Sequence, residues 1–189
     1  MDATTFFFGT KLVFEGLSIR QLQLSDLKEM ASWPKYEGRL LAWANFSAST
    51  PELQERWFHS STGPLKIWLI AKSTSHEGII GRVSLSQPVE GNELIFGIAL
   101  RPDVLDQGLG TKITEMILAA VFELTSCDSV WLETQIHNER ALHTWTKIGF
   151  DLEGTHYRRQ TDMQFHLMKS FRFYRSKRDS LPIIEIHRT

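Results

Sequence analysis

The residues with the clearest chemical promise are Gln107-Gly108-Leu109-Gly110-Thr111, which stand between a short apolar run and a long one. Glycines at 108 and 110 remove side chains that would block close approach to the main chain. If a helix starts here, about four N–H groups of its first turn lack intrahelical partners and face outward with the positive end of the helix dipole. Such a turn is an anion site, and we read it as a seat for a pyrophosphate. Two nucleotide motifs do not fit. The dinucleotide fingerprint needs a third glycine where Ile113 stands, and the nucleoside-triphosphate loop needs Gly-Lys-Ser/Thr where the chain has Thr111-Lys112-Ile113. Taken alone, the turn is equally well read as a plain connection from strand to helix.

The flanking elements decide what the turn can do. Leu94, Phe96, Ile98 and Leu100 alternate with Ile95, Gly97 and Ala99, which predicts a strand over Glu93 to Leu100 buried on both faces. Leu109, Ile113, Met116, Ile117, Ala120, Val121 and Leu124 recur at helical spacing. Ser129 to Gln135 predicts a second strand, parallel to the first through a right-handed crossover. Asn138 suits a helix N-cap, Ala141, Trp145 and Ile148 give that helix an apolar face, and Gly149-Phe150 is a stop signal. Ligands settle beyond the carboxyl ends of parallel strands, which here means after Leu100, beside Gly108 and Asn138. Gly97, inside the first strand, marks either a bulge or a close approach, with core crowding as the plainer account.

The run Asn138 to Gly154, N-E-R-A-L-H-T-W-T-K-I-G-F-D-L-E-G, together with the glycine turn, resembles the GNAT N-acetyltransferase superfamily. The opening Leu17-Ser18-Ile19-Arg20-Gln21-Leu22, with Ser25-Asp26-Leu27, is similar to the branch containing ribosomal-protein alanine N-acetyltransferases and some aminoglycoside and polyamine acetyltransferases. The resemblance runs from about residue 10 to about residue 170. It implies acetyl-coenzyme A as co-substrate, held by Ile98, Ala99, Leu100, Gln107, Gly108, Leu109, Gly110, Thr111, Asn138, Arg140 and Trp145. It also implies a bulged strand whose free main-chain groups pair with the pantetheine arm.

The implied chemistry is direct transfer in a ternary complex to a primary amine, either a protein N-terminus or a small amine. Main-chain N–H groups of Ile98 or Ala99 are expected to stabilise the oxyanion. Many relatives carry a tyrosine acid where this chain has Trp145, and an indole N–H is no acid, so that role is not carried over. Glu93, acting through a water, and His137 are the candidate bases. Leu105 and Asp106 also depart from the family pattern: Asp106 would repel a pyrophosphate unless it points away, with Lys112 or Arg140 available to offset it. Trp33, Tyr36 and Trp43 are candidates for lining the acceptor groove, although core packing explains them as well. The alternative is a coenzyme A-binding module of the same fold without catalysis. An unrelated nucleotide-binding domain is a third reading.

The remaining segments predict an α/β (α+β) fold. A mixed, mostly antiparallel sheet of about seven strands carries a splayed central parallel pair and is flanked by about four helices. Ser25 is expected to cap one helix and Thr50-Pro51 to open another. His76-Glu77-Gly78 and Gly91-Asn92 read as turns of an antiparallel meander. The 189 residues are expected to form a single domain over 1–189, with a core of about 10–172 and a tail of 173–189. The tail's Leu181 to Ile186 is apolar enough to pack on the domain or on a second subunit, so monomer and homodimer both stand. A net charge of −1 offers no field for nucleic acid, and no apolar run is long enough for a membrane span. The histidines show no metal-ligand spacing. The single cysteine, Cys127, forbids an internal disulfide and suits a reducing cytoplasm, where it reads as an inert structural thiol.

Overall fold

The computed structural model describes residues 7, 9–38, 41–88, 91–159 and 163–188. Nine strands form one sheet: β1 (Thr10–Phe14), β2 (Leu17–Gln21), β3 (Lys66–Ser73), β4 (His76–Ser86), β5 (Glu93–Leu100), β6 (Ser129–Gln135), β7 (Asp151–Arg159), β8 (Phe165–Tyr174) and β9 (Glu185–Arg188). Their order is β7-β8-β6-β5-β4-β3-β2-β1-β9. Only β5 and β6 run parallel, so the mixed, mostly antiparallel α/β reading holds, with nine strands where about seven were expected. The described α-helices are α1 (Asp26–Ala31), α2 (Pro51–Ser61), α3 (Leu109–Leu124) and α4 (Glu139–Ile148). None is long and apolar enough to cross a membrane.

One of the added strands comes from the tail. Residues 185–188 pair antiparallel with β1, from Thr10↔Arg188 to Val13↔Glu185, while Leu181, Ile184 and Ile186 pack against the main core. Two further expectations change. The turn before β4 is Thr74-Ser75, and His76 to Gly78 already belong to the strand. Ser25 makes no capping hydrogen bond; Asp26 finishes the start of α1, its carboxylate accepting from the Gln23 amide at 2.8 Å. Thr50 does cap α2, accepting from the Leu53 amide at 3.3 Å, with Pro51 at the first helical position.

The sheet divides two cores. On one face α3 and α4 cover Ile67, Leu69, Val83, Leu94, Phe96, Val130 and Leu132. On the other, α1 and α2 enclose Leu27, Met30, Trp33, Phe46, Ile70 and Ile79. Helix α3 sits at the centre because ten of its sixteen residues are buried, among them Ile113, Met116, Ile117 and Val121. Cys127, just beyond it, is buried and donates to the Ser129 carbonyl at 2.9 Å; burial pushes its thiol pKa up, in keeping with an inert role.

Candidate functional site

The cleft follows from where two strands stop pairing. β5 and β6 are in register only at Glu93↔Ser129, Leu94↔Val130 and Ile95↔Trp131; beyond that they diverge. β5 itself stays paired with β4 from Ile95 to Leu100, without a register shift. The expected bulge at Gly97 is therefore absent. Gly97 is instead a place of close approach: a Cβ there would lie 2.7 Å from Ser84 Oγ.

The parity of the ladder assigns the main-chain groups of β5. The Arg101 amide donates to the Ile80 carbonyl at 2.8 Å, so Arg101, Ala99 and Gly97 turn their N–H and C=O toward β4. Phe96, Ile98 and Leu100 turn theirs toward the gap left by β6. Ala99 thus cannot serve as an oxyanion or pantetheine partner through its main chain, because it is spent on its neighbour Arg82 in β4. Ile98 can. The Leu100 carbonyl already accepts from the Tyr36 hydroxyl.

The gap opens into a cavity of about 530 Å³, within the size range of cofactor pockets. Its walls include Phe96 to Leu100, Asp106, Gly108 to Thr111, Glu133, Asn138, Arg140 and Trp145. Of the predicted coenzyme residues only Gln107 lies outside these walls. Gly108 precedes α3 in the left-handed region, φ +74°, and no side chain caps the helix. The first intrahelical bond runs from the Lys112 amide to the Gly108 carbonyl, which leaves the amides of Leu109, Gly110 and Thr111 without intrahelical partners. No acidic residue sits in the first turn. Space agrees: a Cβ at Gly108 would meet nothing within 4 Å, and one at Gly110 would come within 3.4 Å of Leu100.

Trp145 closes the floor, edge-on to Phe96 at 6.1 Å between centroids, and is only 7% exposed. Its Nε1–H is enclosed and has no partner among the described residues. A buried unpaired donor is costly, about 1–3 kcal/mol. An uncapped helix start and an open glycine seat in one cavity are together what a long ligand with a phosphate end requires. Acetyl-coenzyme A has that chemistry, and the residues present fit it.

The charges are arranged as follows. Asp106 and Arg140 pair across the mouth, at 2.8 Å and 3.1 Å, so Asp106 is turned to the helix α4 side and its charge is offset. Lys112 pairs with Glu15 instead, at 2.8 Å. Asn138 caps α4, accepting from the Ala141 amide at 3.3 Å, and also lines the cavity.

The predicted bases are not in the cavity. Glu93 lies at the far, amino-terminal end of β5, where Arg172 binds its carboxylate beside Ser129. The base role assigned to Glu93 is corrected accordingly: parallel strands send their amino ends away from the cleft. His137 is exposed in the turn before α4 and is not a wall residue. Trp33 is a core residue of the α1–α2 side. Trp43 lies in the short 3₁₀ turn Ala42–Ala44, and its side chain is outside the described residues. Tyr36 does line the cavity.

Sequence reasoning missed Glu133. Its side chain is 8% exposed, it faces the cavity, and it accepts from His156 Nε2 at 2.7 Å and from Arg158. The signal was available: a carboxylate in the middle of the apolar run S-V-W-L-E-T-Q has no bland place in a central strand. Among the described residues no group of three or more His, Cys, Asp or Glu side chains could hold a metal.

Residues 17–151 match the acetyltransferase (GNAT) domain family model. No curated protein matches the chain significantly. Among solved structures, a chimera of the spermidine N-acetyltransferase SpeG from Vibrio cholerae with hSSAT superposes with a TM-score of 0.72. It is 18% identical and is matched over 88% of this chain and 99% of its own. A ribosomal-protein-S5-alanine acetyltransferase from Vibrio fischeri superposes with a TM-score of 0.67 at 16% identity, over 87% of this chain and 96% of its own. At such identities these likenesses speak for the fold.

Proposed function

The chain belongs to the GNAT acetyltransferase family, and from that premise we propose that it moves an acetyl group from acetyl-coenzyme A to a primary amine by direct transfer in a ternary complex. The observation that carries the reading is the parting of β5 from β6 after Ile95↔Trp131, with the uncapped start of α3 at one end of the gap and Glu133 at its side. Bound acetyl-coenzyme A supplies the activated acyl group, whose C–S bond is exchanged for a C–N bond to the acceptor. The amides of Leu109, Gly110 and Thr111 hold the phosphates, helped by Arg140 once it leaves Asp106. The Ile98 N–H and C=O orient the pantetheine arm and offer a donor to the reacting carbonyl oxygen. Trp145 contributes an apolar wall and has no acidic proton to release.

Glu133 takes the role first given to Glu93. It accepts the proton that the amine loses, directly or through a water, while His156 and Arg158 hold its carboxylate in place. Proximity in the cleft supplies much of the remaining rate. The acceptor is a small amine or a peptide N-terminus; a spermidine N-acetyltransferase and a ribosomal-protein-S5-alanine acetyltransferase, as those two structures are named, support that range.

The coenzyme-binding module without catalysis is favoured by one feature, the indole at Trp145 where an acid would protonate the leaving thiolate. Thiol release from acetyl-coenzyme A across an amine panel separates the two. Turnover on at least one amine supports transfer; calorimetric binding of coenzyme A without turnover on any amine supports the module, and no binding at millimolar levels removes both.

A further inference from the structure

Two charged residues are buried among the described residues, and the fold treats them differently. Asp26 accepts both guanidinium arms of Arg20, at 2.7 Å and 2.8 Å, together with the Gln23 amide. Arg82, 7% exposed, pairs with no carboxylate among the described residues. One of its nitrogens, Nη2, donates to the Ala44 carbonyl at 3.0 Å, and the guanidinium lies over Phe46 and Trp68 at 5.8 Å and 5.5 Å from the ring centroids. Burial lowers its pKa to about 10, which still leaves it charged at neutral pH. A guanidinium has five N–H donors, and the enclosed unpaired donors of the described chain belong to Trp33, His76 and Trp145, so the remaining donors of Arg82 are not sealed in.

Arg82 is not itself a wall of the cleft, but its neighbours are walls of the acceptor end. Arg82 is the register partner of Ala99, on the α1–α2 face of the sheet, and its one backbone partner, Ala44, is a cavity wall residue. Tyr36, another wall residue, is near enough for its ionisation to be linked electrostatically to Arg82. The acids that line the cavity, Asp106 and Glu133, are already paired, with Arg140 and with His156 and Arg158. An unbalanced cation therefore stands directly behind the wall of the acceptor end, and the acids lining the cavity are all paired among the described residues. A buried charge of this kind is favourable only when something neutralises it.

We propose that Arg82 receives a carboxylate of the acceptor, so that the substrate class is a primary amine carrying a carboxylate a few atoms from its nitrogen. This rests on the transfer reading above and narrows it: a polycation is disfavoured, an amino acid or an acidic peptide N-terminus is favoured. Charge-assisted hydrogen bonds are the strong ones, so the discrimination is about tenfold or more.

The test compares kcat/KM for glycine against glycinamide, and for an amidated dipeptide with a side-chain carboxylate against its side-chain amide, with spermidine as polycation control. The expected result is a preference of about tenfold or more for the carboxylate in one of the two pairs, which also identifies its source. Arg82→Gln should bring that ratio to near one, and Arg82→Lys should restore part of it. Equal rates within both pairs, or a preference for spermidine, in the unaltered protein overturn the proposal. So does a uniform loss in Arg82→Gln with the ratio intact, which would mean that Arg82 only anchors the Ala44 segment. Should Arg82→Gln not fold, the ratio in the unaltered protein decides. Thiol release with no amine at all would defeat the transfer reading instead. The melting shift with N-acetylglycine against N-acetylglycinamide then decides the role of Arg82: a larger shift with the carboxylate supports it, and equal shifts overturn it.

Discussion

The two ends of the cleft are made from different parts of the chain. At the end proposed for the coenzyme the cavity is walled by one nearly continuous stretch, β5 through the start of α3, with Asn138 and Arg140 closing it. At the end proposed for the acceptor the wall is made by residues from distant segments, Tyr36, Ala44 and Glu133, with Arg82 behind. A seat built from backbone depends on conformation and on small residues, and tolerates most side-chain changes nearby. A seat built from converging side chains can be redirected one residue at a time.

Substitutions at either end should therefore fail in separable ways. The largest effect is expected for Glu133→Gln, which should lower kcat by about 10² or more with coenzyme A affinity unchanged. Calorimetry beside steady-state rates checks this, and an equal loss of binding would erase the distinction between the ends. Next comes Gly110→Asp, which places a carboxylate in the first turn of α3. We expect coenzyme A affinity to fall by about a hundredfold, near 3 kcal/mol, with the melting temperature little changed. Asn138→Ala removes the α4 cap and should cost about 1 kcal/mol, a melting shift of roughly 2–4 °C. The smallest effect sharpens the picture. Asp106→Asn releases Arg140 and removes a repulsive charge, so coenzyme A should bind a few-fold more tightly at low salt, the gain fading as screening rises.

The same contrast explains what could be read from the amino-acid order. Gly108, Gly110 and Asn138 announce themselves because backbone geometry has few solutions: a positive φ, an uncapped first turn and an N-cap each select narrow residue types. Alternation in β5 and the helical stripe of α3 placed the cleft between them. The details of β5 were less legible. Gly97 looked like a bulge, but an unbroken register with β4 shows that it makes room for Ser84. Ala99 looked equivalent to Ile98 because residue type says nothing about which edge of a strand a carbonyl faces. That parity emerges only once the neighbours are known. Glu93 was attractive as an acid at the end of a central strand, yet a strand has two ends, and Arg172 from β8 claims it at the wrong one. Arg82 and Tyr36 lie 17 and 64 residues before the partners that give them meaning, Ala99 and Ala99's neighbour Leu100.

Strand β9 covers the hydrogen-bonding side of β1 with four residues, Glu185-Ile186-His187-Arg188, three of them polar and exposed. Deprived of that cover, β1 would present a row of unsatisfied amides and carbonyls to the surroundings, a ready template for adhesion between molecules. A version shortened before Glu185 should hold its cleft yet clump on concentration, so loss of solubility, rather than loss of activity, is the mark that this short closing segment leaves on the protein.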